Sequence, residues 1–477
     1  MLKKLDIIIL IYVQLIVFSL CFLYLSFDHE LYVVKNLLLF IFFISVLISF
    51  IDKFFNLYQI FLLMMFVFNL ALPIFESLGL YTYPNFYMIL ESDGINQQVS
   101  EQSMHTTYST IIYFIIGATT GWLVGILKTY DEYKSSYISM NNKSFNKKFS
   151  FMVKVIFLII FIMEIYANIF LFIQSRIDGY IYVMHLHSSS STIFNIADAL
   201  YKVSGVMLLF ICKGKNQFIK YSLIFIFPFL IQFFTGARGE TIAIIITLVF
   251  IYNILYGRIS IKKYIFFGAI LFFSIILVGN IRFSEDLLFV TSGSSFFETI
   301  INSIISTSKS IGVVAYSIEL KDDFFNKVPF IFGYVDSIFS FAKNYTINGI
   351  NEKNYLAQHI TYLTNPQKLF NGSTIGSAYI AEVFLLCGGK SILIFIVGAI
   401  SLYFAKIITF YMYKNIYLFY FGFVFLETFV LSPRGSMIKF FNKEFIISLV
   451  FITLIILTTS KINIKKKINN SADVHYE

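Results

Sequence analysis

Ile7-Ile8-Ile9-Leu10-Ile11-Tyr12-Val13-Gln14-Leu15-Ile16-Val17-Phe18-Ser19-Leu20-Cys21-Phe22-Leu23-Tyr24-Leu25-Ser26-Phe27 contains no charged residue and follows Lys3 and Lys4. Hydrocarbon offers no hydrogen-bond partners, so a stretch of this length crosses ~30 Å of it only as a helix that satisfies its own backbone. Runs of the same texture recur near 31–51, 54–75, 108–127, 151–174, 198–212, 221–237, 240–256, 264–281, 390–410, 416–432 and 442–459. The expected architecture is an all-α polytopic membrane protein of about twelve transmembrane helices. The apolar part of the first run is too long for a signal-peptide core and no small-residue cleavage site follows it, so it reads as a retained span.

Composition excludes the soluble alternatives. A chain of 477 residues would ordinarily suggest about three soluble domains. Here 58% of residues are hydrophobic and only 13% charged, and mean hydropathy is +0.79, too little charge to cover soluble surfaces. The formal charge of +9 does not indicate nucleic acid, because the lysines sit in short clusters between apolar runs. Cys21, Cys212 and Cys387 are far apart and odd in number, which makes neither a disulfide framework nor a metal site. No cofactor is expected.

The lysine clusters set an orientation. With a cytoplasmic N-terminus, the inner connections carry Lys53, then Lys128 to Lys148, then Lys213, Lys215 and Lys220, then Arg258, Lys262 and Lys263, then Lys414. Lys461, Lys465, Lys466 and Lys467 close the chain. Every inner connection is basic, as the positive-inside rule requires, and both termini read as cytoplasmic. The chain therefore divides into an N-terminal bundle of about nine spans (1–281), a large outer segment (282–378), C-terminal spans (379–459) and a basic tail (460–477). The outer segment is partly helical by pattern: Phe296, Phe297, Ile300, Ile301, Ile304 and Ile305 form one apolar stripe. Such a helix lies on the membrane surface or caps a cavity; a soluble lid is the alternative.

Arginine usage points to the chemistry. Of five arginines, Arg176, Arg238, Arg282 and Arg434 fall on the expected outer side, where the positive-inside rule does not call for them; only Arg258 is inner. A chain that otherwise uses Lys gains from Arg a planar, permanently charged, bidentate donor suited to phosphate or pyrophosphate. Helix capping or interface anchoring is the plain alternative, strongest for Arg176. Arg238 lies in the hairpin Thr235-Gly236-Ala237-Arg238-Gly239-Glu240, and Arg434 in Ser432-Pro433-Arg434-Gly435-Ser436. Arg282 opens the outer segment. Three arginines entering one outer cavity would clamp a pyrophosphate, but their convergence cannot be read from sequence.

Acidic residues at membrane depth each cost roughly 2.5–3.5 kcal/mol at a helix centre, so Glu164, Glu382 and Glu427, with Glu240 at an edge, need a reason to be there. Glu382 lies where the outer segment enters the tenth span. It can orient or deprotonate an acceptor hydroxyl, or pair with Lys390. Glu164 and Glu427 suit helix-to-helix polar contacts. His359 is a second candidate base because imidazole titrates near neutrality, and Glu240 a third. His185 and His187 lack further metal ligands, and Asp322-Asp323 reads as a solvated turn. Gly388-Gly389-Lys390-Ser391 lacks the first glycine of a phosphate-binding loop and follows no strand. Gly117, Gly121 and Gly125 need only close helix packing.

The stretch Asn371-Gly372-Ser373-Thr374-Ile375-Gly376-Ser377-Ala378-Tyr379-Ile380-Ala381-Glu382-Val383-Phe384 resembles the Gly-Ser-Ser-Tyr-(aliphatic)-Ala-Glu segment of bacterial O-antigen polymerases of the Wzy type. The Thr-Gly-Ala-Arg-Gly hairpin, the Arg434 hairpin and the layout are similar too, while Leu386-Cys387-Gly388 departs from the aromatic that precedes glycine there. The resemblance implies a GT-C-like, metal-independent glycosyltransferase of the inner membrane with its site facing the periplasm. It implies undecaprenyl-pyrophosphate-linked glycans as substrates, and a chain-length regulator and a flippase as pathway partners. Arg238 and Arg434, assisted by Arg282, would bind pyrophosphate, and Glu382, or failing it His359 or Glu240, would be the base. A lipid-linked oligosaccharide flippase, an O-antigen ligase and a membrane scaffold are the rivals. The first would predict midplane charges and an internal repeat, and neither is evident.

Overall fold

The computed structural model describes residues 4–27, 29–51, 56–79, 99–130, 147–177, 192–235, 238–256, 301, 304–305, 307–322, 356–367, 376–440 and 442–472. Among them all regular structure is helical. The first half contains α1 (Lys4–Leu25), α2 (Leu31–Ser49), α3 (Leu57–Met65), a π-helical turn (Phe66–Leu70), α4 (Ala71–Ser77) and α5 (Glu101–Thr129). Then come α6 (Lys147–Ile177), α7 (Thr192–Phe210), α8 (Lys215–Phe234) and α9 (Arg238–Tyr256). The second half contains α10 (Ser310–Glu319), α11 (Leu356–Thr364), α12 (Tyr379–Leu386), α13 (Ser391–Tyr411), α14 (Ile416–Leu431) and α15 (Lys443–Ala472).

Nine helices among the described residues are long and apolar enough to cross a membrane. They match nine of the twelve expected spans. Of the others, 198–212 lies in α7, which carries Asp198 and Lys202, and 442–459 lies in α15, whose apolar stretch is shorter. The run 264–281 falls outside the described residues.

The helices start where their caps dictate. Asn56 Oδ1 accepts from the Gln59 amide at 2.9 Å while Gln59 Oε1 accepts from the Asn56 amide at 3.2 Å, a reciprocal box that opens α3. Ser100 Oγ accepts from the Ser103 amide at the start of α5, and Asn415 Oδ1 from the Leu418 amide at the start of α14.

Burial sorts the helices into inner and outer. The apolar window of α5 is 83% buried, against 17% for α1 and for α6, so α5 is the central post and the other two lie at the periphery of the described helices. Around α5 pack α1, α2, α10, α12 and α13; α7 packs against α6, α8, α14 and α15. α14 also touches α3, α9 and α13, so it joins the two groups.

The α5–α13 seam follows from glycine. A methyl group built on Gly117 or Gly121 would collide with the carbonyl oxygens of Phe395 and Ala399, and one on Gly398 would lie 2.6 Å from that of Phe114. The two backbones thus pass at a separation that no side chain allows, as the spacing of four suggested. The pairing 117 with 395 and 121 with 399 makes α5 and α13 parallel. By contrast, Gly239 faces Leu431 and Lys35 pairs with Glu76 at 3.3 Å, so α9 and α14, and α2 and α4, run antiparallel.

Part of the segment 282–378 is built into the bundle. α10 is buried from Ser310 to Ile318 and packs on α5 and α12. Glu319 closes it by accepting from the Ser100 amide at 2.9 Å and the Ser100 hydroxyl at 2.7 Å. Of the apolar stripe expected at 296–305, residues 301, 304 and 305 are helical; 296, 297 and 300 lie outside the described residues.

Candidate functional site

At one end of the bundle α14 stops because Pro433 lacks an amide hydrogen, and Ser432–Arg434 tightens into a 3-10 turn. Asn69, on the π-helical turn, donates from Nδ2 to the Pro433 carbonyl at 3.1 Å. The neighbouring Phe68 ring lies 5.8 Å from the exposed Arg434 guanidinium. A single π turn often marks a functional position, and here it carries Phe68 and Asn69, which both contact the arginine turn.

Two residues after Arg434, Ser436 donates from Oγ to Glu382 Oε2 at 2.7 Å. Ser377 donates to the other carboxylate oxygen at 3.0 Å. Glu382 is only 2% exposed. It sits in the first turn of α12, where the helix dipole favours negative charge. Gly376 leads into this turn with φ of 97°, a left-handed conformation that favours glycine. Tyr379 fixes α12 to α13 through its hydroxyl, 2.9 Å from Ser401 Oγ. Glu382 is thus held by two serine hydroxyls in place of the alternative pair with Lys390. It precedes the tenth span, as expected, and lies on a separate short helix.

Arg238 opens α9, and a methyl group on Gly239 would lie 3.9 Å from Leu431 Cδ1, at the last turn of α14. The Arg238 and Arg434 turns are therefore neighbours. Thr241 ties α9 to α8 by donating to the Phe229 carbonyl at 2.8 Å. Glu240 is engaged by Lys202, whose ammonium also lies 3.6 Å from Asp198 and 3.7 Å from Glu427. Glu427 makes the helix-to-helix contact its position suggested, whereas Glu164 accepts at 2.8 Å from Asn168 of its own helix.

His359 is buried on α11, which packs against α10. The Arg176 guanidinium lies over Phe172 of its own helix at 5.2 Å, an anchoring contact. Arg282, His185, His187 and Asp323 fall outside the described residues. Among the described residues no cluster of three or more His, Cys, Asp or Glu side chains could hold a metal ion.

Sequence reasoning missed Lys202, Ser436 and Asn69. Lys202 had a usable signal: it stands four residues after Asp198 inside an apolar run, and an ionisable residue there is a site hypothesis by default. Ser436 and Asn69 carried none, because a serine or asparagine acquires meaning only from what the fold sets beside it.

The profile of the family O-antigen polysaccharide polymerase Wzy matches residues 7–467, nearly the whole chain. The chain belongs to this family. Comparison with curated proteins and with solved structures found no match. As a Wzy polymerase the chain joins O-antigen repeat units, acting on lipid-linked oligosaccharides as a multi-pass membrane protein. Nothing favours a flippase, a ligase or a scaffold.

Proposed function

We propose that the Wzy chain performs this polymerisation at the outer face of the bacterial inner membrane, around the Glu382 carboxylate and the Arg434 and Arg238 turns. The donor is a growing glycan on undecaprenyl pyrophosphate; the acceptor is a repeat unit on a second such lipid. The acceptor hydroxyl oxygen attacks the donor's anomeric carbon, and the bond from that carbon to the phosphate oxygen breaks. Undecaprenyl pyrophosphate departs with the electron pair, and the hydroxyl proton passes to Glu382. The guanidinium groups stabilise the negative charge that grows on the leaving group, and a fixed charge already in place does so without reorganisation. Arg282 is assigned the assisting role that the family resemblance implies.

The observation that carries this reading is the Ser436–Glu382 hydrogen bond, which sets a carboxylate beside the turn that displays Arg434. Glu382 is preferred over Glu240, whose carboxylate is engaged by Lys202. Positive charge comes from arginine, so polymerisation is expected to persist in EDTA. A chain-length regulator and a flippase complete the pathway in this reading.

The test is a deletion strain complemented with wild-type or Glu382→Gln protein. Wild type should restore a ladder of polymer, and Glu382→Gln should leave a single repeat unit attached at normal protein levels. A full ladder from Glu382→Gln would remove the base from the proposal. Impermeant thiol labelling of cysteines at 238 and 434 from the cytosolic side would remove the outward orientation.

A further inference from the structure

Lys202 is a costly residue for its place. Its side chain, 18% exposed, extends from the third turn of α7 to lie between Glu427 of α14 and the first turn of α9. Three carboxylates from three helices face it: Asp198 of α7, Glu240 of α9 and Glu427 of α14. Glu164 of α6 and Lys439 add longer-range charge. A buried ion cluster is seldom more stabilising than apolar packing of the same volume; its best-attested use is to fix register. What it would register here is specific. Glu240 is two residues beyond Arg238, and Glu427 lies one helical turn before Leu431, the residue that faces Gly239.

We propose that Lys202 is a positioning residue for polymerisation: its ion hub holds the turn opened by Arg238 in register with the turn that displays Arg434. The inference rests on the arginine reading above. Without the hub, α9 can slide along α14, and both turns move apart while each keeps its own fold. Misplacement by about 1 Å at a reacting centre can lower the rate roughly 100-fold.

The experiment uses the full-length chain, with its three native cysteines replaced by serine and cysteines placed at Gly239 and Leu431. Oxidative cross-linking of that pair reports the register directly. Chain extension by reconstituted protein lacking the pair is measured in parallel, with kcat and KM determined separately. Glu427→Gln cuts the tie to α14 while reducing the surplus of negative charge, so it remains informative if Lys202→Met fails to fold. Both variants should lower cross-linking at least threefold and kcat roughly 10- to 100-fold. Lys202→Arg, which keeps the charge, should retain both.

Unchanged cross-linking in Glu427→Gln would overturn the hub as a register device. Lost cross-linking with unchanged polymerisation would leave the hub holding the turns but overturn its role in the reaction, and with it the paired-arginine reading. Activity lost at full cross-linking would overturn positioning while sparing the arginines.

Discussion

Ser436 donates its hydroxyl to Glu382 Oε2 at 2.7 Å, joining the turn after α14 to the first turn of α12. The carboxylate is buried, and its other oxygen accepts from Ser377. Removing either hydroxyl strips a buried charge of half its side-chain partners, at roughly 1–3 kcal/mol. Ser436→Ala should therefore shorten the polymer ladder and lower the midpoint of thermal unfolding. Ser377→Ala should match it in stability yet affect chain length less, because only Ser436 belongs to the arginine turn. Gel ladders and detergent-solubilised melting curves separate the two effects. Equal effects on chain length would show that the carboxylate's place, not its link to the Arg434 turn, is what matters.

Arg434 is exposed, and its guanidinium lies 5.8 Å from the Phe68 ring. Lysine keeps the charge and loses the planar fork. Arg434→Lys should lower polymerisation by roughly tenfold or more, one bidentate contact being worth about 1.5–3 kcal/mol. Phe68→Leu removes a cation–π contact worth about 0.5–1 kcal/mol and should lower activity only a few-fold. Full polymer length from Arg434→Lys in the ladder assay would show that fixed charge suffices and that bidentate geometry is not used.

The parts of the fold readable in the sequence are those governed by one-dimensional rules. A long run with few charges has one helical solution in hydrocarbon, so nine spans could be read from apolar length, and a close helix contact at Gly117 and Gly121 from glycine spacing, but not that α13 is the partner. α10 could not: Ser310, Gly312 and Ser317 interrupt its apolar residues, and its burial arises from α5 and α12, distant in sequence. The separate helix α12 was hidden because its eight residues are too few to register as a span, and its burial too comes from distant elements. In the site, residue types were informative and convergence was not. Arg238, Arg434 and Glu382 stand out singly, but their adjacency depends on Ser436, Gly239 and Lys202, none of which is unusual alone.

Glu319 offers a pH test outside the spans. Partial desolvation raises its carboxyl, but hydrogen bonds from the Ser100 hydroxyl and amide and from Ser103, with the charge of Lys321, outweigh that and hold it below the ordinary 4.5. A carboxyl depressed on folding contributes stability above its unfolded value and loses it as pH falls through the folded one. The anchor between α10 and α5 should therefore be intact at neutral pH and weaken below about pH 4.5, where protonation begins. Amide exchange at the first turn of α5 should accelerate over that range. In Glu319→Gln it should be faster at neutral pH and lack the acid step; a step of the same size in Glu319→Gln would assign it to another group.

The α5–α13 seam gives the sharpest contrast between two glycine substitutions. At Gly121 an added methyl group meets the backbone carbonyl of Ala399, which cannot swing aside as a side chain can. The central helix must then part from α13, an overpacking cost of typically 1–3 kcal/mol or more. At Gly214, which precedes α8 with φ of −164°, nothing lies within 4 Å and the backbone is extended, so alanine adds no clash. Gly121→Ala should sharply reduce the yield of monodisperse protein and lower the unfolding temperature, while Gly214→Ala should resemble wild type. Because Tyr379 bridges α12 to Ser401 on α13, parting the seam also pulls on the helix that carries Glu382. Any Gly121→Ala protein that survives purification should therefore extend chains more slowly per folded molecule. Normal extension by that fraction would show that the seam holds the bundle together without setting the position of the carboxylate.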